Sequence, residues 1–178
     1  DNPPPDWRIQ IDSYILRNQP FQLSYQDATG KIWSFTVRHA QINRYERGEF
    51  LDCWCEETQG NLDVSELTNN WSLRLDRITE AAIMPIKGEW LYNLTQIEVE
   101  IHISGGLAYA YQTKTNEDIV NEWLAESQGV RRVVKQISNT YWFIRYVLQN
   151  APDVVVISPE TVRNRVKQKV QNIYSVYF

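Results

Sequence analysis

Sulfur and imidazole are scarce in this chain: two cysteines, two histidines and one methionine in 178 residues. Cys53 and Cys55 stand one residue apart in an alternating stretch, so on a strand they share a face at a separation that suits no relaxed disulfide. They read as small buried apolar residues in a reducing cytoplasm. Cys-x-Cys with the distant His39 and His102 falls short of a metal-ligand set, and neither a metal nor a cofactor is expected. There is no glycine-rich phosphate loop, no nucleophile elbow and no histidine pair at metal-binding spacing, so the chain is not expected to be an enzyme. No apolar run approaches the roughly 20 residues that cross a bilayer, and no signal-peptide core opens the chain. No membrane partner is expected, and the localisation reads as cytoplasmic. Basic charge is also short, with 18 Lys and Arg against 22 Asp and Glu, a net charge of -4. A strong nonspecific binder of duplex DNA would instead carry a basic stripe.

What remains is ample material for a core: 43% hydrophobic residues and seven tryptophans, enough for one large or two small domains. The start at Asp1-Asn2-Pro3-Pro4-Pro5, without an initiator methionine, reads as an extended linker on a piece cut from a longer protein. Trp7, Ile11, Tyr14 and Ile15 then recur at helical spacing up to Pro20. Residues 1–19 are therefore expected to be a linker and leading helix.

From Phe21 the period becomes two. Phe21, Leu23 and Tyr25 alternate with Gln22 and Ser24, and Asp27-Ala28-Thr29-Gly30 is a turn signal. Ile32 to Ile42 returns, with Trp33, Phe35, Val37 and His39 expected on one face. Glu46-Arg47-Gly48 turns again into Phe50 to Glu56. A loop with a short helical turn near Val64 to Leu67 leads to Trp71 to Leu75, and Ala81 to Ile86 supplies a fifth strand. A helix followed by five short antiparallel strands is what a small Sm-like or SH3-like β-barrel needs, assigned here to 20–87 with its end at Lys87-Gly88-Glu89.

The remaining 88–178 reads as an α+β domain of ferredoxin-like kind. Ile97 to Ile103 alternates cleanly, Thr115 to Leu124 is expected to be a capped helix, and Val130 to Ile137 a strand. Asn139 to Gln149 fits either period, and the resemblance described below makes it a helix. Asp153 to Ser158 is an apolar strand stopped by Pro159, and Val162, Val166, Val170 and Ile173 mark a final helix through Asn172. Its Arg163, Arg165, Lys167 and Lys169 read as a solvated face, with a phosphate contact as the other reading. Tyr141, Trp142 and Arg145 read either as a buried helix face or as a surface for a neighbouring subunit.

Two alternating stretches organise the first half: Gly48-Glu49-Phe50-Leu51-Asp52-Cys53-Trp54-Cys55-Glu56 and Trp71-Ser72-Leu73-Arg74-Leu75-Asp76-Arg77-Ile78. A glycine, a triplet of Trp-Tyr-Leu type and, after a loop, Arg-x-Asp-Arg-Ile resemble the WYL domain of bacterial transcription regulators. The Leu73 to Ile78 end and the strand ending in Ser24-Tyr25 match well; in the triplet, Glu49-Phe50-Leu51, only the leucine is kept. The C-terminal half resembles the extension usually attached to WYL domains. Within the family, Phe21 to Asp27 and Cys53 to Thr58 are most similar to WYL proteins associated with CRISPR loci.

The resemblance implies that Arg74 and Arg77 line a polar pocket for a small anionic, nucleotide or oligonucleotide ligand. The competing reading is structural, an ion pair from Arg74 to Asp76 or from Arg77 to Glu80. Tyr25 is either a core tyrosine or a hydroxyl beside the pocket, His39 either a satisfied core residue or a ligand contact. Trp54 either stacks a base or a planar ligand or lies under the second domain, and Ser72 is a candidate donor. The resemblance further implies a homodimeric sensing region, duplex DNA as partner of a missing upstream helix-turn-helix domain, and control of a CRISPR-Cas locus. The alternatives are a single-stranded nucleic-acid-binding Sm-like module and a structural oligomerisation module.

Overall fold

The computed structural model describes residues 3–124 and 129–178, the side chains of 79–82 excepted. Two compact units emerge, Asp1–Leu62 with Leu67–Thr95, and Asp63–Glu66 with Gln96–Phe178. The division falls after Thr95 rather than at Lys87-Gly88-Glu89 because the intervening stretch is tied to the first unit. Leu91 N donates to Arg38 O at 2.6 Å, and Thr95 O accepts from Asn70 Nδ2 at 2.7 Å.

The first unit opens with helix α1 (Asp6–Leu16), whose Ile11 and Tyr14 are buried, and continues through β1 (Phe21–Gln26), β2 (Ile32–Tyr45), β3 (Gly48–Cys55), β4 (Asn70–Arg74) and β5 (Ile78–Pro85). The strands form one antiparallel sheet in the order β4-β3-β2-β1-β5. Among the described residues no ladder joins β4 to β5; a single 3₁₀ turn, Leu75–Arg77, connects them. Alternation fixes which side is buried. Phe21, Leu23, Phe35, Val37, Leu51, Cys53, Cys55, Leu73 and Leu75 pack into one core with α1. Truncating a buried aromatic such as Phe35 to alanine costs about 3–5 kcal/mol in such a setting.

One expectation fails inside β2. The register slips between Val37 and His39, a β-bulge at Arg38, and beyond it Ala40, not His39, is buried in the core. An extra residue in a strand reverses the side to which every later side chain points. His39 therefore leaves the face of Trp33 and Phe35 and joins the opposite one.

The second unit runs β6 (Ile97–Ile103), α2 (Gly105–Ala110), β7 (Asp118–Trp123), β8 (Arg131–Ile137), α3 (Thr140–Gln149), β9 (Val154–Ser158) and α4 (Glu160–Tyr177). Its antiparallel sheet has the order β7-β8-β6-β9. Val99, Ile101, Ile103, Val133, Val154, Val156 and Val162 fill the core. Asn139 Oδ1 caps α3 by accepting from Trp142 N at 3.1 Å, and Asp63 adds bonds to the Thr140 hydroxyl and amide at 2.6 and 3.1 Å. Pro159 precedes α4, which extends past Asn172 to Tyr177.

Two expectations need correction here. Residues 118–123 are an edge strand, not a helix: Ile119, Val120 and Trp123 have helical spacing, but a bulge between Asp118 and Val120 breaks the alternation that would have revealed the strand. The helix α2 was not expected either, since Gly105-Gly106 reads as a stop and Gly105 sits at a φ of 62°.

Candidate functional site

The bulge in β2 and the pairing of β3 with β4 assemble an outer face on the first sheet. His39 lies opposite Trp54, Gln41 opposite Asp52, and Asp52 opposite Ser72, while Phe50 lies opposite Arg74. Asp52 is its centre, only 6% exposed. Three neutral donors reach its carboxylate: Asn43 Nδ2 at 2.7 Å, Tyr45 Oη at 2.5 Å and Ser72 Oγ at 2.5 Å. Burying a carboxylate without a cation requires such donors on its lone pairs. Ser72 is thus engaged with the protein's own aspartate. Sequence reasoning passed over Asp52, although an acidic residue between Leu51 and Cys53 in an apolar strand was the signal available.

Trp54 and His39 are also held internally. Trp54 Nε1 donates to Thr95 Oγ1 at 3.2 Å, which places the ring beneath the segment that ends the first unit. The Nδ1–H of His39 donates to Leu91 O at 2.7 Å, and Trp90 stands 5.5 Å from the imidazole. Burial holds the His39 pKa below its ordinary 6.5, opposed by that carbonyl bond. Tyr25 lies on the core side, edge-on to Phe35 at 6.4 Å.

Arg74 differs from the others. As the last residue of β4 it projects at the sheet's end, and its fork meets Asp76 through Nε at 3.2 Å and Nη2 at 2.8 Å. The structural ion pair weighed above is therefore formed. It is also open to solvent, with side chains 34% and 63% exposed. Beside it lies a cleft of about 640 Å³. Arg8 and Arg47 line it with Arg74, against Asp12, Glu49 and Asp76, and Trp7 and Leu75 supply apolar wall. Arg8 forks onto Glu49 at 3.4 and 3.2 Å and meets Asp12 at 3.2 Å. The hydrogen bond from Arg8, then its charge, hold Glu49 below the ordinary glutamate pKa of 4.5. Arg47 is exposed and has no carboxylate partner among the described residues.

Of the six candidates, then, only Arg74 lines the cleft; His39, Trp54 and Ser72 share its face of the sheet at other levels, and Tyr25 faces the core. Arg77 sits on the 3₁₀ turn beyond β4, without an ion pair to a described side chain, and its expected partner Glu80 lies outside the described side chains. Arg8, Arg47 and Asp12 were missed, and Glu49 was noted only as a departure from the Trp-Tyr-Leu triplet beside the expected pocket. Only Arg8 and Asp12, four apart on a helix, left a trace in the sequence.

The second unit carries a different ion pair. Lys135 Nζ donates to Asp118 Oδ1 at 2.7 Å with side chains 3% and 1% exposed. Tyr111 Oη and Lys114 N complete the carboxylate's partners at 2.5 and 2.9 Å. Burial pushes Asp118 up, but the bonds from Lys135, Tyr111 and Lys114 outweigh it, and its pKa lies below the ordinary value. Burial, then the bond to Asp118, drive the Tyr111 phenol far above its own. Elsewhere in this unit α3 brings Tyr141, Trp142 and Arg145 together, with Arg145 5.6 Å from the Tyr141 ring. Among the described residues no group of three acidic, His or Cys side chains is placed to hold a metal, and no helix is long and apolar enough to cross a membrane.

Residues 95–174 match the WCX domain. This stretch covers nearly all of the second unit. Two solved structures are similar to the chain as a whole. Proteasome accessory factor B/C (PafBC) of Arthrobacter aurescens is 15% identical with a TM-score of 0.38, the match covering 96% of this chain and 27% of that one. A CRISPR Cas-related protein is 12% identical with a TM-score of 0.46, covering 96% of this chain and 51% of that one. The chain thus spans about a quarter and about half of these two structures. No curated protein matches it.

Proposed function

We propose that this chain is the ligand-sensing and dimerising part of a bacterial transcription regulator of WYL type. In this reading a helix-turn-helix domain outside the chain binds duplex DNA, and the regulated target is a CRISPR-Cas locus. The observation that carries the reading is a WCX match immediately after a sheet whose last strands run Leu73-Arg74-Leu75-Asp76-Arg77-Ile78. The WCX domain is the WYL-related C-terminal domain of such regulators. The strand order β4-β3-β2-β1-β5 is read as that of an Sm-like barrel. The succession β6-α2-β7-β8-α3-β9, with sheet order β7-β8-β6-β9, is read as ferredoxin-like.

Arg74 supplies the sensing chemistry. A guanidinium keeps its charge at any working pH, and an exposed pair with Asp76 is weak enough for an incoming oxyanion to take over. Arg47 offers a second cation, and Trp7 a surface on which a planar group stacks. Three arginines against three carboxylates give the lining no net charge, which favours a compact anion or nucleotide over a long nucleic-acid backbone. Ligand binding would act on DNA affinity by favouring one of two arrangements, and only to the extent that it binds them differently.

Calorimetric titration with cyclic nucleotides and short single-stranded oligonucleotides tests the reading. Wild type is expected to bind at least one of them, and Arg74→Ala to bind it about tenfold or more weakly, the loss of a charge-assisted fork. Binding that is indifferent to Arg74→Ala removes the assignment. Sedimentation of the chain as a dimer is the expected result for its assembly, and a monomer at all concentrations contradicts that part.

A further inference from the structure

One wall of the cleft is the beginning of α1. Pro5, Trp7, Arg8 and Asp12 all line it. The two ends of this helix are secured differently. Toward its C-terminal end Ile11 and Tyr14 are buried in the core, with Tyr14 packed at 5.4 Å on Phe21. At its N-terminal end Pro5 provides no side-chain cap, and Trp7 packs against the core only part-buried. There the long-range polar tie is Arg8, which forks onto both oxygens of Glu49 at the start of β3. Both partners are reachable from solvent, at 23% and 37% exposure, and Arg44 approaches the same carboxylate at 3.9 Å.

A two-point arginine–carboxylate fork has the geometry that a phosphate or carboxylate ligand makes with the same guanidinium. We propose that Glu49 is an internal stand-in for the anion of this cleft, latching the first turn of α1 through Arg8 until a compact oxyanion exchanges with it. The inference rests on the reading of the cleft as an anion site. It also gives that site an output. A ligand meeting the latched helix finds Arg8 occupied, whereas one meeting the released helix gains a further guanidinium. That difference in affinity is what couples ligand to helix. The latch belongs to this sequence in particular, because Glu49 stands where the resemblance described above places an aromatic residue. Under the proposed function α1 is the element that leads toward the DNA-binding domain, so release of its first turn would be felt there.

Hydrogen exchange of the peptide covering the first half of α1, read on the whole chain, tests the latch without any ligand. Glu49→Gln keeps size and shape but weakens the fork. It is expected to speed exchange there about two- to fivefold, the range for losing an exposed ion pair. Inorganic pyrophosphate added to wild type is expected to produce the same rise, and to add nothing further in Glu49→Gln. Unchanged exchange in Glu49→Gln overturns the proposal. So does pyrophosphate that binds wild type calorimetrically, and is weakened by Arg74→Ala, while leaving α1 exchange as it was. Absence of any pyrophosphate binding contradicts the cleft reading instead, and the ligand-free Glu49→Gln arm tells the two failures apart.

Discussion

The two units each hold a short ion pair between a basic residue and an aspartate, and the pairs differ in almost everything but chemistry. Arg74 and Asp76 are two residues apart at the end of a strand and open to water. Lys135 and Asp118 join neighbouring strands and are sealed beneath tyrosines, with Lys135 5.4 Å from the Tyr111 ring and 5.8 Å from that of Tyr146. Distance alone does not separate them, at 2.8 and 2.7 Å. Solvent does. A buried pair has already lost its water and cannot give up a partner cheaply, so it is architecture. An exposed pair can exchange its carboxylate for another oxyanion at little cost, so it can serve as a receptor.

The largest effect that would break this contrast is in the second unit. Lys135→Met leaves Asp118 buried without its cation and is expected to cost about 3–5 kcal/mol, measured by urea unfolding. A loss below about 1 kcal/mol would mean that water reaches the pair, and the contrast would fail.

Gly60→Ala probes the first core directly, since an added Cβ would lie 2.6 Å from the Trp33 ring and φ is 85°. A loss of about 1–3 kcal/mol is expected for an L residue held in that conformation, read from the thermal midpoint. Trp33 cannot easily retreat, being stacked on Phe35 and packed at 5.8 Å on Trp71.

Acid removes two polar ties of the first unit in the same direction but in different pH windows. His39 is held below 6.5, so it is neutral in the fold while the unfolded chain takes up a proton; its contribution is present above pH 6.5 and lost as pH falls through its folded value. Asp27 is lowered to about 2, first by the Thr29 hydroxyl and then by the Trp33 indole N–H. Its contribution to the β1–β2 turn is complete above the ordinary value of 3.8 and disappears as pH falls toward 2. NMR titration of the His39 ring and of the Trp33 indole proton reads the two separately. A His39 midpoint at or above 6.5 would contradict its burial under Trp90. The smallest expected effect is on stability at Asp76→Asn, under about 1 kcal/mol in urea unfolding, in contrast to Lys135→Met.

The sequence made the strands of the first unit legible because their apolar positions alternate without interruption over Phe21 to Tyr25, Leu51 to Cys55 and Leu73 to Leu75. It hid the place of His39, because a bulge leaves no mark in a run that still alternates; only the partner strand shows the extra residue. It misrepresented 118–123 for a related reason, an edge strand whose Ile119 is half exposed and whose apolar spacing imitates a helix turn. Of the cleft, Arg74 was readable from the pattern around it. Arg8 and Glu49 were not, since they meet only when α1 folds back over the start of β3, a contact that no local spacing encodes.

The most direct test of the account is a calorimetric comparison of wild type and Arg74→Ala titrated with cyclic nucleotides and short oligonucleotides. The account predicts saturable binding to wild type that weakens about tenfold or more in the variant. Equal affinity in the two proteins, or no heat with any of these anions, would contradict it.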